Sequence, residues 1–269
     1  MRFDEIGAWS EIKLEIIRKY AAAYSTILTR QPGLRHVYID AFAGPGVHVS
    51  RDTGEFVPGS PLNALRVEPP FREYHLIDLD GDKIESLRMR VGDRRDVHLY
   101  RGDGNDVLLA RVFPGLRRQD ARRALCLLDP YGLQLRWEVI QSAGELGTVD
   151  IFLNFPIMDM NRNVLWRTPE RVAPKDVERM TVFWGDDSWR RIAYETAGNL
   201  FGFEEKTDND TVAEAFQERL RNVAGFGYVP APLPMRNSTN AVVYYLFFAS
   251  PKETGARIVT DIFARYRRR

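Results

Sequence analysis

The sequence predicts an α/β fold: a seven-stranded, mostly parallel sheet with helices on both faces and a helical insertion after the fifth strand. Three observations predict it. Five short apolar runs between His36 and Phe155 alternate with segments of helical period, the pattern of a doubly wound parallel sheet. The first run ends in Asp40-Ala41-Phe42-Ala43-Gly44-Pro45-Gly46, an acid followed by a glycine turn that lets backbone approach a ligand. A long apolar run, Val242–Phe248, comes late, after a stretch of different character.

The elements follow in order. Ile12, Ile16, Ile17, Tyr20, Tyr24, Ile27 and Leu28 recur at helical spacing and predict a helix over Ala8–Arg30, with Ser10 able to cap an early turn and Pro32-Gly33 stopping it. The first strand is His36–Ala43. A polar loop through Arg51–Gly54 leads to Pro58-Gly59-Ser60-Pro61, which opens a helix over Leu62–Glu68. Strands at Tyr74–Asp78, Val97–Arg101, Ala124–Leu128 and Val149–Phe155 are separated by helices at Gly81–Val91, Asp106–Phe113 and Trp137–Gly144. From Met158 to Val223, Pro169, Pro174 and three tryptophans mark a change, with helices at Asp176–Phe183, Ser188–Phe201 and Thr211–Val223. This segment is too short for a robust core of its own and reads as an insertion or lid. Gly227–Pro230 and Ala241–Ser250 read as the last two strands, and Thr254–Tyr266 as a closing helix.

Composition bounds the function. The 269 residues carry a net charge of +1, so there is no global attraction to nucleic acid or an anionic membrane. Of 38 basic residues six are Lys, and the Arg clusters at 88–95 and 117–123 read as solvated faces. The single Cys126 excludes an intrachain disulfide and a multi-cysteine zinc site, and lying inside an apolar strand it reads as core packing. The four histidines lack metal-ligand spacing, so no metal is expected. No signal pattern or membrane-length apolar stretch is evident, which leads us to expect a cytoplasmic chain without a membrane partner.

The unusual residues stand at the strand ends: Asp40 and Gly44, Asp78, Asp103, Asp129 and Asn154. In parallel sheets ligands sit outside those ends. The Asp40–Gly46 motif resembles the first motif of S-adenosylmethionine (AdoMet) methyltransferases, especially those acting on nucleic acid. The resemblance implies AdoMet as cofactor, with Phe42, Gly44 and Gly46 in its loop and Asp40 near the sulfonium or amino group. Asp78 is placed to accept the ribose hydroxyls; Asp80 fits better as a helix cap. Asp103 either accepts from the adenine amino group or caps a turn. A nicotinamide dinucleotide fingerprint wants a third glycine where this chain has Val49, which disfavours a nucleotide-dependent oxidoreductase.

Asp129-Pro130-Tyr131-Gly132 resembles the Asp/Asn-Pro-Pro-Tyr/Phe motif of amino methyltransferases, with Tyr131 in place of the second proline. That implies Asp129 and the Pro130 carbonyl as acceptors of an amine's N–H groups and Tyr131 as a stacking ring; the alternative is a strand-ending Asp-Pro turn. Asn154-Phe155-Pro156 either lines the substrate side of the crevice or ends a strand. Phe183-Trp184-Gly185 either closes Trp184 over a substrate or forms a packed helix junction.

These motifs, with Gly59-Ser60-Pro61, Trp189 and Tyr245–Ser250, occur in an order that resembles the bacterial three-Cys-motif partner protein family over nearly the whole chain. The resemblance implies a Rossmann-like class I methyltransferase in one domain over 1–269, divided into an N-terminal helix (1–35), a cofactor-binding core (36–157), a helical lid (158–224) and a final strand pair with its helix (225–269). It also implies a three-Cys-motif protein as partner. The expected activity is AdoMet-dependent methylation, with a nucleobase amino group or nucleic acid as substrate; the alternative is a catalytically silent AdoMet-binding scaffold for that partner.

Overall fold

The structure, a computed structural model, describes residues 4–195 and 205–267. Seven strands form the central sheet: β1 (Arg35–Asp40), β2 (Glu73–Asp78), β3 (Val97–Arg101), β4 (Arg122–Leu128), β5 (Val149–Phe155), β6 (Leu233–Arg236) and β7 (Val242–Ala249). Their order is β6-β7-β5-β4-β1-β2-β3. The run from β5 to β3 is parallel; β7 lies antiparallel to β5, and β6 antiparallel to β7. The chain turns back across the sheet between β1 and β4, so their C-terminal ends flank the crevice where such sheets bind ligands.

The strands are buried on both faces, which is why they read as apolar runs without alternation. On β4, Leu125 and Leu127 point to one layer, Ala124, Cys126 and Leu128 to the other. The first layer holds α1 (Ala8–Thr29), α2 (Ser60–Leu65), α3 (Gly81–Val91) and, at the end of the chain, the helix Glu253–Arg267. The second holds α4 (Gly104–Val107), α5 (Trp137–Leu146), α6 (Ile157–Asn163), α7 (Pro174–Trp184), α8 (Trp189–Ala193) and α9 (Asn209–Asn222). The closing helix is α10.

Several elements depart from expectation. The expected loop at Arg51–Gly54 is the turn of an unexpected ribbon: Val47–Ser50 and Phe56–Pro58 pair antiparallel on either side of it, and Glu5–Ile6 adds a parallel strand. The sixth strand is Leu233–Arg236, with Tyr228 making only an isolated bridge to Ser250. As an edge strand it tolerates Pro234, which a central strand would not. The helix expected over Asp106–Phe113 starts at Gly104, passes into a π turn at Leu108–Val112 and tightens at Pro114. Gly7, not Ser10, precedes the first turn of α1. The helix from Ser188 ends at Ala193, where Tyr194–Glu195 turns extended; the rest of that expected helix lies outside the described residues. α6 was not anticipated.

Candidate functional site

The loop from Ala41 to Gly46 is held from three sides. Gly44 and Gly46 adopt φ of +66° and +84°, a region that side chains disfavour. The Gly44 amide donates to Asp78 Oδ2 at 2.8 Å, the Gly59 amide to the Gly46 carbonyl at 2.8 Å, and the Ser86 hydroxyl to the Pro45 carbonyl at 3.0 Å. Asp78 thereby ties the end of β2 to the glycine loop, while its Oδ1 accepts the Asp80 amide at 2.9 Å. Each oxygen keeps a lone pair. Asp80 caps α3 through the Asp82 amide, the role its position suggested. Leu79, beside Asp78, is 71% exposed and presents an apolar surface at the rim.

Asp40 occupies a different place from the one expected. Its side chain is fully buried and takes the Ser60 hydroxyl, the Tyr38 hydroxyl at 3.3 Å and the Phe42 amide at 3.4 Å. Burial, with the nearby Asp129 charge adding to it, pushes its carboxyl up to about 7. Asp40 therefore braces the loop from below and has no exposed surface. Phe42 is half-buried against the core.

Asp103 caps α4: its Oδ1 accepts the amides of Asn105 at 2.8 Å and Asp106 at 3.2 Å, and the Asn105 side chain at 3.0 Å. Asn105, buried, also donates to the Gln134 carbonyl and accepts the Arg136 amide, joining the end of β3 to the loop after β4. A Cβ on Gly104 would stand 2.5 Å from the Ala41 carbonyl oxygen, so glycine is what allows α4 to close on the loop.

Across the crevice, register places Leu128 beside Leu153 and hence Asp129 beside Asn154. Asn154 Nδ2 donates to Asp129 Oδ1 at 2.8 Å. Lys13 of α1 donates to Oδ2 at 2.5 Å and lies 5.3 Å from the Tyr244 ring centre. Lys13 was missed from sequence although a signal exists: it lies three and four residues before Ile16 and Ile17, on the stripe that α1 buries. His48 was missed too, with no signal to find it. Its imidazole lies 3.1 Å from where a Cβ on Gly59 would stand. Burial, and then the Lys13 charge, lower its pKa.

Pro130 is buried and Tyr131 is 80% exposed, free at the rim. Gly132 has φ +60°, and a Cβ there would meet Asp159 of α6 at 2.7 Å. Three expected lining residues are corrected. Phe155 is fully buried among Phe183, Phe216 and Phe247, because side chains alternate across the strand and its face is opposite to that of Asn154. Pro156 is buried at the start of α6. Trp184 has no exposed surface; it packs on Phe216 and donates to the Ser188 hydroxyl at 3.0 Å, which is the packed helix junction. Cys126 is buried, and burial drives its thiol far above the ordinary range, as core packing requires. Among the described residues no group of His, Cys, Asp and Glu could hold a metal, and no helix is long and apolar enough to cross a membrane.

No family model and no curated protein matches the chain. Among solved structures it is similar to protein LPL1258 of Legionella pneumophila, at 12% identity and a TM-score of 0.55 over 94% of this chain and 92% of that one. It is also similar to the plantazolicin methyltransferase BamL in complex with S-adenosylhomocysteine (11% identity, TM-score 0.37, 91% and 88% covered). A SAM-dependent methyltransferase of Leishmania major gives 9% identity and a TM-score of 0.38, with 90% and 82% covered. The first likeness shows a shared fold, and the other two superpose too loosely to bear on chemistry. The fold is a Rossmann-like α/β arrangement, with the antiparallel strand β7 inserted between β5 and β6.

Proposed function

We propose that the chain is an AdoMet-dependent methyltransferase of the three-Cys-motif partner type, acting on an amino group of a nucleobase or nucleic acid. The observation that carries this reading is the rim at the turn-back point: the Gly44 amide bound to Asp78 on one side, Asp129 with Asn154 on the other. The residues present suit the cofactor. Among the described residues only the His48 ring comes within 4 Å of a Cβ added at Gly44, which leaves backbone there open to a ligand. Gly44 and Gly46 would meet the methionyl part, Asp78 the ribose hydroxyls, Leu79 the adenine face and Asp103 Oδ2, which takes no part in the cap, the adenine amino group. Bound AdoMet supplies an electrophilic methyl on a sulfonium. The chain's own part is orientation: Asp129, 25% exposed at its side chain, and the Pro130 carbonyl accept the amine's N–H groups and aim its lone pair in line. Tyr131 offers a ring for stacking. The proton leaves the nitrogen after transfer.

One observation favours a second reading, a catalytically silent AdoMet-binding scaffold for a three-Cys protein: both Asp129 oxygens already have donors, Lys13 and Asn154. An oxidoreductase is disfavoured further, because after Gly46 the chain enters a strand where a dinucleotide fold opens a helix. Calorimetric titration with AdoMet and S-adenosylhomocysteine tests the assignment. Saturable binding that weakens in Asp78→Ala and persists in Asp129→Ala is expected. Absence of binding to both ligands would sink the stand-alone enzyme. A biological activity that survives Asp129→Ala would select the scaffold.

A further inference from the structure

α6 runs from the acceptor motif to a second cavity. One side of this helix, at Asp159, lies against Gly132 of the acceptor motif. Two residues on, Asn161 lines a cavity of about 640 Å³, together with Leu165, Trp166, Arg167, Lys206 and the start of α9. That volume is ordinary for a small-molecule or nucleotide-sized ligand.

The lining is unusual in its charge. Arg167 and Lys206 face the same cavity, and among the described residues neither forms an ion pair with a carboxylate. Asp208, which also lines the cavity, is engaged with the first turn of α9 through the Thr211 amide at 2.7 Å. Lys206 is held in place by Asn161, whose Oδ1 accepts from Nζ at 2.7 Å, and Asn161 is in turn held by Asn209 at 3.0 Å. Burial, and the charge of Arg167 beside it, keep the Lys206 ammonium below its ordinary pKa. Among the described lining residues two cations face one carboxylate, and that excess of positive charge is an arrangement that an anion relieves. Trp166 adds a ring that is 39% exposed, its indole N–H anchored to the Arg162 carbonyl at 2.7 Å. A fixed, open aromatic face beside two cations matches a nucleotide unit better than a free phosphate, because it gives the base a stacking surface.

We propose that this cavity binds a nucleotide of a single-stranded nucleic acid, its phosphate between Arg167 and Lys206 and its base against Trp166, and so holds the strand next to the acceptor motif. The proposal rests on the reading of the chain as a nucleic-acid amino methyltransferase and names how that substrate is held. With a net charge of +1 the molecule has little general affinity for polyanions, so a local site must supply the grip.

The test is fluorescence anisotropy with labelled single-stranded DNA and RNA of about 12 nucleotides, read at several salt concentrations, with calorimetric AdoMet binding measured on the same preparations. Arg167 is exposed, so Arg167→Ala leaves the fold intact; Lys206→Met and Trp166→Leu complete the set. Each variant is expected to bind the strand about tenfold more weakly at low salt. The two cation variants should also lower the slope of log affinity against log salt by about 0.7 each, and Trp166→Leu should leave it unchanged. AdoMet affinity should not move in any of them. The proposal is overturned if all three variants bind as the parent does, if the parent binds neither strand, or if inorganic phosphate or a phosphoserine peptide competes as well as an unlabelled strand. A parent that binds the strand through these residues but does not bind AdoMet would overturn the methyltransferase reading and leave the cavity assignment standing.

Discussion

Replacing Lys13 with methionine should reveal how tightly α1 is coupled to the candidate acceptor site. Lys13 is 8% exposed at its side chain and Asp129 25%, with 2.5 Å between Nζ and Oδ2. Removing one partner of a fully buried pair costs about 3–5 kcal/mol, because the other charge is left desolvated. Asp129 keeps part of its contact with water and its bond from Asn154, so about 2 kcal/mol is the expected loss for Lys13→Met. Methionine preserves most of the apolar stem over Tyr244, which keeps lost packing small. For a chain of this size that corresponds to a fall in Tm of about 5 °C. Asp129→Asn should cost a comparable amount by stranding the lysine. The double variant should recover part of both losses, giving a coupling of at least about 1 kcal/mol in urea unfolding at pH 7. A coupling below about 0.5 kcal/mol would mean that the pair does not hold α1 to the site, and the place given to Lys13 would be wrong.

The enclosed Asp40 makes a pH prediction. Its carboxyl is raised from 3.8 to about 7, so the fold favours the protonated form. Its contribution is fully present below about pH 4 and is lost as pH rises through about 7, by a few kcal/mol at most. Asp40→Asn should therefore lose less stability than the parent between pH 5 and 8 in urea titrations; parallel curves would refute the burial argument. Gly104→Ala places a methyl 2.5 Å from the Ala41 carbonyl oxygen. It should destabilise by about 1–3 kcal/mol and weaken AdoMet binding by shifting the loop. An unchanged Tm with unchanged affinity would show that the contact yields freely.

How much of this was legible depended on which interactions are local. The five parallel strands announce themselves because a strand buried on both faces must be apolar along its length, and their polar ends stand out against that background. The glycine turn after the first strand, Asp78 and Asp129 stand out in this way as strand ends on one rim. Trp184 and Phe155 were misplaced for a complementary reason. An aromatic residue at the end of a strand or helix reads the same whether it faces a ligand or a core, and only the packing of α7 and α9 on the sheet closes the space around these two.

The sequence by itself determined the class of fold, the position of the glycine loop and the line of polar strand ends, since hydrophobic period and turn chemistry are properties of neighbouring residues. The tertiary structure decided which of those residues meet. It turned Asp40 inward to Ser60, tied Asp78 to the Gly44 amide, and brought Lys13 across from α1 to Asp129, a partner 116 positions away. It also assembled Trp166, Arg167 and Lys206 from separate segments around one cavity. Charges so far apart in the chain come together only when two layers close on the sheet, and no spacing along the sequence records that closure.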